Sequence, residues 1–300
     1  MDGWVKKNGS LVIRVVGTLT AIGLLAYLVN QNGTRDIQQT LMGISPTSLA
    51  ISFGFILLSR LFITIRWHIL LRTGGVEIPF RRTLLLVFMG LFSNNFLPTT
   101  VGGDVVKLAA ASQMGYDKAI TLASIAADRL INMIGMSLAA PLGLWQFFSS
   151  GVILQGFTLG GLFSKTFDFL KKTLGSFSLW LKKPGAIAAA LFCALVHMFF
   201  SFAAIYVLIL GMGEEMSFWE VIGLSSLAYF ITLVPLSING YGLQEFSVTF
   251  LFSNIGGISV ATAASTAVIH RLMMILVSLP GAFTLPGILG KINQPEQKEL

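Results

Sequence analysis

The sequence predicts an all-α integral membrane protein with about six full transmembrane helices and two re-entrant, broken-helix hairpins, arranged as two inverted-topology repeats. Three observations predict it. First, 54% of the 300 residues are hydrophobic and 11% charged, against the ~25% charged of a soluble domain, and mean hydropathy is +0.80. Second, the apolar residues gather into runs near the ~20 residues a helix needs to cross a bilayer. Third, two pairs of shorter runs are each broken by a Pro and Gly cluster, with similar residues around both. The net charge of +7 fits basic loops at a cytoplasmic membrane face better than nucleic-acid binding. A single cysteine, Cys193, excludes an internal disulfide and a multi-cysteine metal site. No cofactor is expected.

The elements follow in order. Lys6, Lys7 and Arg14 precede the apolar run 15–29, and no small-x-small cleavage pattern ends it, so it reads as a retained first span. A second span covers 47–71. Leu84 to Leu97 and Asp104 to Gly115 are too short to cross and flank Pro98-Thr99-Thr100-Val101-Gly102-Gly103. Irregular backbone at membrane depth is tolerated only where protein buries it or a wet cavity meets it. Residues 83–116 are therefore predicted as a hairpin entering from the cytoplasm, and span 119–140 completes a first repeat, 1–140. The second repeat, 141–290, holds a span at 143–163, an amphipathic cytoplasmic helix at 164–183 and a span at 185–211. A hairpin at 218–254 then enters from outside, and span 259–285 precedes a cytoplasmic tail, 291–300. In the amphipathic segment Phe163, Phe167, Leu170, Leu174 and Phe177 lie opposite Lys165, Lys171 and Lys172, a pattern suited to the inner leaflet. Arg72, Arg81, Arg82, Lys118, Lys182 and Lys183 fall on the proposed inside and Glu214 and Glu215 on the outside, which places both termini in the cytoplasm.

The repeat has sequence support. Phe96-Leu97-Pro98 with Gly102, Gly103 and Asp104 answers to Leu233-Val234-Pro235 with Gly240, Tyr241, Gly242 and Glu245, and Asp128-Arg129-Leu130 answers to His270-Arg271-Leu272. Paired broken helices in inverted repeats are an architecture of secondary transporters, which bind substrate at the repeat interface. Pro98, Gly102, Gly103, Pro235, Gly240 and Gly242 are the expected backbone hinges.

Inside the predicted membrane segments stand five cations, Arg60, Arg66, Lys107, Arg129 and Arg271, and three acids, Asp104, Asp128 and Glu245. Each costs ~2.5–3.5 kcal/mol near a helix centre. Arg66, beside Trp67 and His68, is expected to snorkel to the inner interface. Asp104 and Glu245 suit the first turn of a half-helix, and His197 reads as a packed core residue. Arg129 and Arg271 hold matching places in the two repeats, and either Asp128 or the other hairpin's acid is expected to pair with one of them. Together with Asn94, Asn95, Asp104, Lys107, Asp128, Asn239, Tyr241, Glu245 and His270 they form the expected substrate-binding set. Half-helix N-termini and guanidinium forks favour a phosphate-bearing anion.

These residues carry a resemblance. Asn94-Asn95-Phe96-Leu97-Pro98-Thr99-Thr100-Val101-Gly102-Gly103-Asp104, Asp128-Arg129-Leu130 and Asn239-Gly240-Tyr241-Gly242-Leu243-Gln244-Glu245 make the chain similar to the lysylphosphatidylglycerol synthase transmembrane family, the flippase-like domain of the multiple peptide resistance factor. Arg66-Trp67 fits the same pattern. The resemblance covers nearly the whole chain. It implies a multi-pass protein of a bacterial or archaeal cytoplasmic membrane that moves a lipid between leaflets, here as a stand-alone member without the soluble synthase domain. Its implied partner is a membrane lipid, with a separate lipid-modifying enzyme or a homo-oligomer compatible with it. Two other classes remain open, an intramembrane enzyme and a scaffold for a separate lipid synthase or glycosyltransferase. Gly102-Gly103-Asp104 and Tyr116-Asp117 only distantly resemble intramembrane aspartyl proteases, with the two elements in reversed order, and neither HExxH nor GxSxG occurs. No catalytic residue is expected.

Overall fold

A computed structural model describes residues 2–31, 34–97, 101–151, 180, 182–234 and 236–284, and among these all regular structure is helical. In chain order the helices are α1 (Asp2–Gln31), α2 (Thr34–Gly43), α3 (Pro46–Gly74), α4 (Phe80–Asn94), α5 (Gly102–Gln113), α6 (Lys118–Ser149), α7 (Pro184–Gly211), α8 (Phe218–Thr232), α9 (Leu243–Asn254) and α10 (Val260–Ser278). A 3₁₀ turn, Ile238–Gly240, precedes α9. Among the described residues four helices are long and apolar enough to cross a bilayer: α3, α6, α7 and α10 with its extension to Thr284. Shorter apolar helices lie at Arg14–Tyr27 and Phe218–Thr232. Pro98, Pro235, nearly all of the predicted amphipathic helix 164–183 and the tail 291–300 lie outside the described residues.

Local chemistry sets the helix ends. Pro46 and Pro184 occupy the first turns of α3 and α7, where a missing N–H costs nothing. Ser217 and Glu220 form a capping box on α8, and the Asp117 carboxylate accepts from the Ile120 N–H at 2.7 Å to start α6. Gly75, at φ 107°, turns the chain out of α3. One expectation fails here. The boundary at 140/141 falls inside α6, which runs unbroken through Pro141 to Ser149. A proline removes one hydrogen bond from a membrane helix without forcing its end, and α6 continues because Gly143, two residues on, packs against Gly223 of α8.

Two runs of elements match in length. Helices α3, α4 and α5 have 29, 15 and 12 residues, and α7, α8 and α9 have 28, 15 and 12. The two long leaders pack antiparallel. Ser45 N–H donates to the Gly211 carbonyl at 3.3 Å, Ser52 Oγ donates to the Ala204 carbonyl at 2.9 Å, Ser59 Oγ lies 2.6 Å from His197 Nδ1, and Lys183 Nζ donates to the Thr73 carbonyl at 2.5 Å. One residue number rises as the other falls along the whole contact. Helix α6 lies antiparallel to α8 in the same way, with Asn132 Nδ2 donating to Tyr229 Oη at 3.2 Å and Gln146 Nε2 to the Trp219 carbonyl at 3.1 Å. Helix α1 braces the second broken segment, where the Ile238 N–H donates to Thr18 Oγ1 at 2.8 Å.

Charge separates along the bundle. Arg82 Nη1 donates to Tyr116 Oη at one end, the end that also holds Thr73 and Lys183. At the other, Ser259 and Thr262 donate to Glu214. Burial acts to raise the Glu214 carboxyl, but those hydrogen bonds prevail and hold it below the usual carboxylate range.

Lipid offers apolar side chains nearly the environment a protein core does, so helices here are joined by close contact and polar links rather than by the hydrophobic effect. Exposed Leu138, Trp145, Phe148 and Phe192 are accordingly unremarkable on this surface. Small residues at crossings matter more. A Cβ at Gly143 falls on the Gly223 backbone, which cannot rotate away, whereas one at Gly54 meets nothing within 4 Å. Gly143→Ala is expected to cost ~1–3 kcal/mol and lower the melting temperature in detergent, with Gly54→Ala at or above wild type. Equal melting temperatures for the two variants contradict the tight crossing.

Candidate functional site

The first broken segment joins α4 to α5. Asn94 Oδ1 accepts from the Gly103 N–H at 2.6 Å, and Gly103 lies against the Gly90 carbonyl so closely that a side chain has no room. That contact fixes the start of α5 and sets Asp104 as its third residue, where a carboxylate meets the positive end of the helix dipole. Asp104 Oδ1 lies 2.7 Å from Lys107 Nζ, and its Oδ2 accepts from Arg129 Nε. The Lys107 ammonium also sits 4.9 Å from the centre of the Trp67 ring, a cation–π contact.

The second broken segment repeats this design with different parts. Asn239, Gly240 and Gly242 adopt left-handed φ values of 48°, 75° and 75°, so two of the predicted hinges do need glycine. Glu245 is the third residue of α9, and its Oε2 accepts from the Gly242 N–H at 2.8 Å. Its Oε1 accepts from Arg271 Nε at 2.5 Å. Arg271 Nη2 donates to Gln244 Oε1 at 2.9 Å and to the Gly240 carbonyl at 3.3 Å, and its guanidinium lies 4.9 Å from the Tyr241 ring centre. Arg129 and Arg271 are each the twelfth residue of their helices. The two segments also meet: Tyr241 Oη donates to the Asn95 carbonyl at 3.2 Å, and Asn95 Nδ2 to Ser278 Oγ of α10 at 2.8 Å.

Two pairing expectations are corrected. Arg66 does not snorkel. It is 3% exposed and grips Asp128 with both arms, Nε to Oδ1 at 2.6 Å and Nη2 to Oδ2 at 3.0 Å. A bidentate carboxylate within reach satisfies a guanidinium at depth, so there is no drive toward the interface. Asp128 consequently belongs to Arg66 and not to Arg129 or Arg271. Successive residues on a helix point ~100° apart, which turns Asp128 toward α3 and Arg129 toward α5. Arg66 Nη1 also donates to Asn132 Oδ1 at 2.9 Å, and Asn132 reaches Tyr229.

The predicted set thus resolves into two groups, Asn94, Asp104, Lys107 and Arg129 around the first segment, and Asn95, Asn239, Tyr241, Glu245 and Arg271 around the second. Asp128 stands apart with Arg66. His270, which holds in α10 the place Asp128 holds in α6, is 7% exposed, and its Nε2 has no hydrogen-bond partner. Sequence reasoning passed over Asn132, Tyr229 and Gln244, whose polar contacts carry no local signal, and counted Arg60 without singling it out. Arg60 is 7% exposed, and no ion pair among the described residues involves it.

The charge balance follows. Arg66 and Asp128 cancel, as do Arg271 and Glu245. Lys107 and Arg129 share one carboxylate, and Arg60 has none. Among the described residues the acids at depth thus fall two short of the cations, an arrangement that attracts an anion. No cluster of metal-ligating residues occurs among the described residues.

Fold and site define a class: all-helical membrane proteins with several apolar helices long enough to span a bilayer and buried ion pairs between them. The chain belongs to the family described as the lysylphosphatidylglycerol synthase TM region, which it matches over residues 14–166 and 154–281. It is similar to a UPF0104 membrane protein of Methanothermobacter thermautotrophicus, 21% identical over 98% of this chain and 96% of the relative. A UPF0104 membrane protein of Pyrococcus horikoshii is 22% identical over 81% of this chain and 85% of its own length. One from Methanocaldococcus jannaschii is 27% identical over 33% of this chain and 28% of its own.

Proposed function

We propose that the protein is a lipid transporter that carries an anionic or phosphate-bearing lipid between leaflets by alternating access. Suitable substrates are a phospholipid, an aminoacyl-phosphatidylglycerol or a polyprenyl phosphate. The observation that carries this reading is the excess of two cations at depth, at Arg60 and in the Lys107–Asp104–Arg129 triad. A headgroup phosphate supplies the missing negative charge while its acyl chains stay in the bilayer, so they need not be desorbed from lipid.

The architecture in this reading is six full spans and two re-entrant hairpins, 83–116 and 218–254, in inverted repeats. The matched element lengths, the antiparallel α3 and α7, and an arginine at the twelfth residue of both α6 and α10 support it. The basic end of the bundle faces the cytoplasm. Rocking one repeat against the other then presents a cationic group to each leaflet in turn. The lipid is moved unchanged; a separate enzyme makes or consumes it.

Proteoliposomes holding fluorescent phosphatidylglycerol, aminoacyl-phosphatidylglycerol or polyprenyl phosphate test this by dithionite quenching. Wild-type protein is expected to speed translocation of at least one. Arg129→Lys is expected to fold but slow it by about tenfold, because an ammonium lacks the fork that grips two phosphate oxygens and a lost charged hydrogen bond is worth ~1.5–3 kcal/mol. Arg129 suits this test because its side chain is 33% exposed. Rates equal to protein-free vesicles for all three lipids contradict transport, and copurification of a soluble lipid-modifying enzyme then favours the scaffold.

A further inference from the structure

We infer that Arg60 of α3 and His270 of α10 form the seat for the lipid's phosphate, with an acyl chain in the apolar groove between the same two helices. This rests on the transport reading and locates its substrate.

The argument starts from what the interior leaves unsatisfied. Every other guanidinium or ammonium at depth has a carboxylate within 4 Å, and His197, the other buried imidazole at this depth of the bundle, has Ser59 at 2.6 Å. Arg60 and His270 are each more than nine-tenths buried; among the described residues no ion pair involves Arg60, and His270 Nε2 has no hydrogen-bond partner. They belong together. Ile56, one helical turn before Arg60, packs in one cluster with Met273, three residues past His270. Thr266, one turn from His270 on the same face of α10, has a buried hydroxyl with no partner either.

The repeat shows what is missing. In the first half α3 gives Arg66 to Asp128, and the pair closes. Helix α10, which answers to α6, has His270 at the place of Asp128, so it brings no carboxylate to Arg60 of α3. An imidazole, which carries no negative charge, stands where a counter-charge is due. A phosphodiester brings that charge and accepts from the guanidinium fork, from Nε2–H and from a threonine hydroxyl, a donor set that suits a tetrahedral oxyanion. Beside it runs a groove of about 420 Å³ whose lining includes Leu49, Phe53, Leu272, Met273 and Leu276. Met273 lies both in this groove and in the cluster that holds Ile56, so the cationic seat and the apolar slot adjoin, as the headgroup and chain of one lipid do.

The test uses purified full-length protein in detergent, with short-chain dioctanoyl phosphatidylglycerol and inorganic phosphate as probes, read by calorimetric binding and by melting temperature. Arg60→Met is expected to weaken phosphatidylglycerol binding by at least about tenfold, one bidentate contact on the affinity scale, without lowering the melting temperature of lipid-free protein. His270→Asp is the sharper variant. It supplies the missing acid and is expected to raise the lipid-free melting temperature while also losing about tenfold or more in affinity. Inorganic phosphate, which leaves the groove empty, is expected to bind at least about tenfold more weakly than the lipid. Unchanged lipid affinity in either folded variant overturns the seat, as does unfolding of Arg60→Met, since a charge whose loss unfolds the protein has a structural partner. Equal affinity for phosphate and lipid overturns the lipid assignment. Translocation that Arg60→Met leaves unchanged removes the seat and spares transport; Arg60-dependent binding with no wild-type translocation keeps the seat and removes transport.

Discussion

Asp128→Ala is expected to destabilise the protein by ~3–5 kcal/mol, the usual result of stripping one partner from a buried ion pair. Arg66 is 3% exposed and its fork is occupied on both arms by this carboxylate. Without Asp128 the guanidinium keeps only Asn132 as a polar partner and stays too deep to reach water. The control is a double change. Arg66→Met/Asp128→Leu replaces the charged pair by apolar bulk and is expected to recover most of the loss, because such exchanges are often close to neutral. Arg129→Ala on the Asp128→Ala background is expected to recover nothing, since Arg129 belongs to Asp104. Denaturant unfolding in mixed micelles, followed by tryptophan fluorescence, measures all three against wild type. A loss below ~0.5 kcal/mol for Asp128→Ala shows that the pair does not hold α3 to α6.

Much of the membrane architecture is written locally, and so was legible. Pro46 and Pro184 mark helix starts because a proline at the first turn loses no hydrogen bond. The spacing Gly102-Gly103-Asp104 announces a close helix contact followed by a charged first turn, and the structure holds both in Gly90–Gly103 and in the Asp104 pairings. Matching positions for Arg129 and Arg271 were visible from Asp128-Arg129-Leu130 and His270-Arg271-Leu272. What was not visible is who pairs with whom. Arg66 lies 62 positions from Asp128, and its neighbours Trp67 and His68 suggest an interface. Trp67 is instead fully buried, with Nε1 donating to Ser124 Oγ at 3.1 Å. The division at 140/141 was not legible for a related reason: α6 runs on through Pro141, and its Gly143 packs on Gly223 of α8, a contact distant in sequence.

Pairing also decides which charges are free to act. The census of five cations and three acids drew attention to Arg129 and Arg271, the two with matching positions. Arg271 is held by Glu245, Gln244 and the Gly240 carbonyl and lies over Tyr241, which ties the second hairpin to α10 as firmly as it offers a charge. The surplus sits elsewhere, at Arg60 and at the shared carboxylate of Asp104.

That sharing makes Asp104 the most informative single position, because its removal is expected to act in opposite directions on stability and on binding. Asp104→Asn keeps the shape and a weaker first-turn cap but leaves Lys107 and Arg129, both previously bonded to one carboxylate, facing each other without a counter-charge. Lipid-free protein is expected to lose ~3–5 kcal/mol, as for other broken buried pairs. The same change raises the cation surplus at depth from two to three, so an anionic lipid is expected to bind more tightly and to restore part of the lost stability through linkage. Tighter holding slows release, and translocation is expected to fall even where lipid has rescued folding. Glu245→Gln is the matched comparison and is expected to cost less, because Arg271 retains Gln244 and the Gly240 carbonyl. Melting temperatures with and without dioctanoyl phosphatidylglycerol decide the matter. A lipid-induced rise larger in Asp104→Asn than in wild type supports a triad that balances an anion, and a smaller rise, with stability lost in both conditions, shows that Asp104 only fastens α5 to α6.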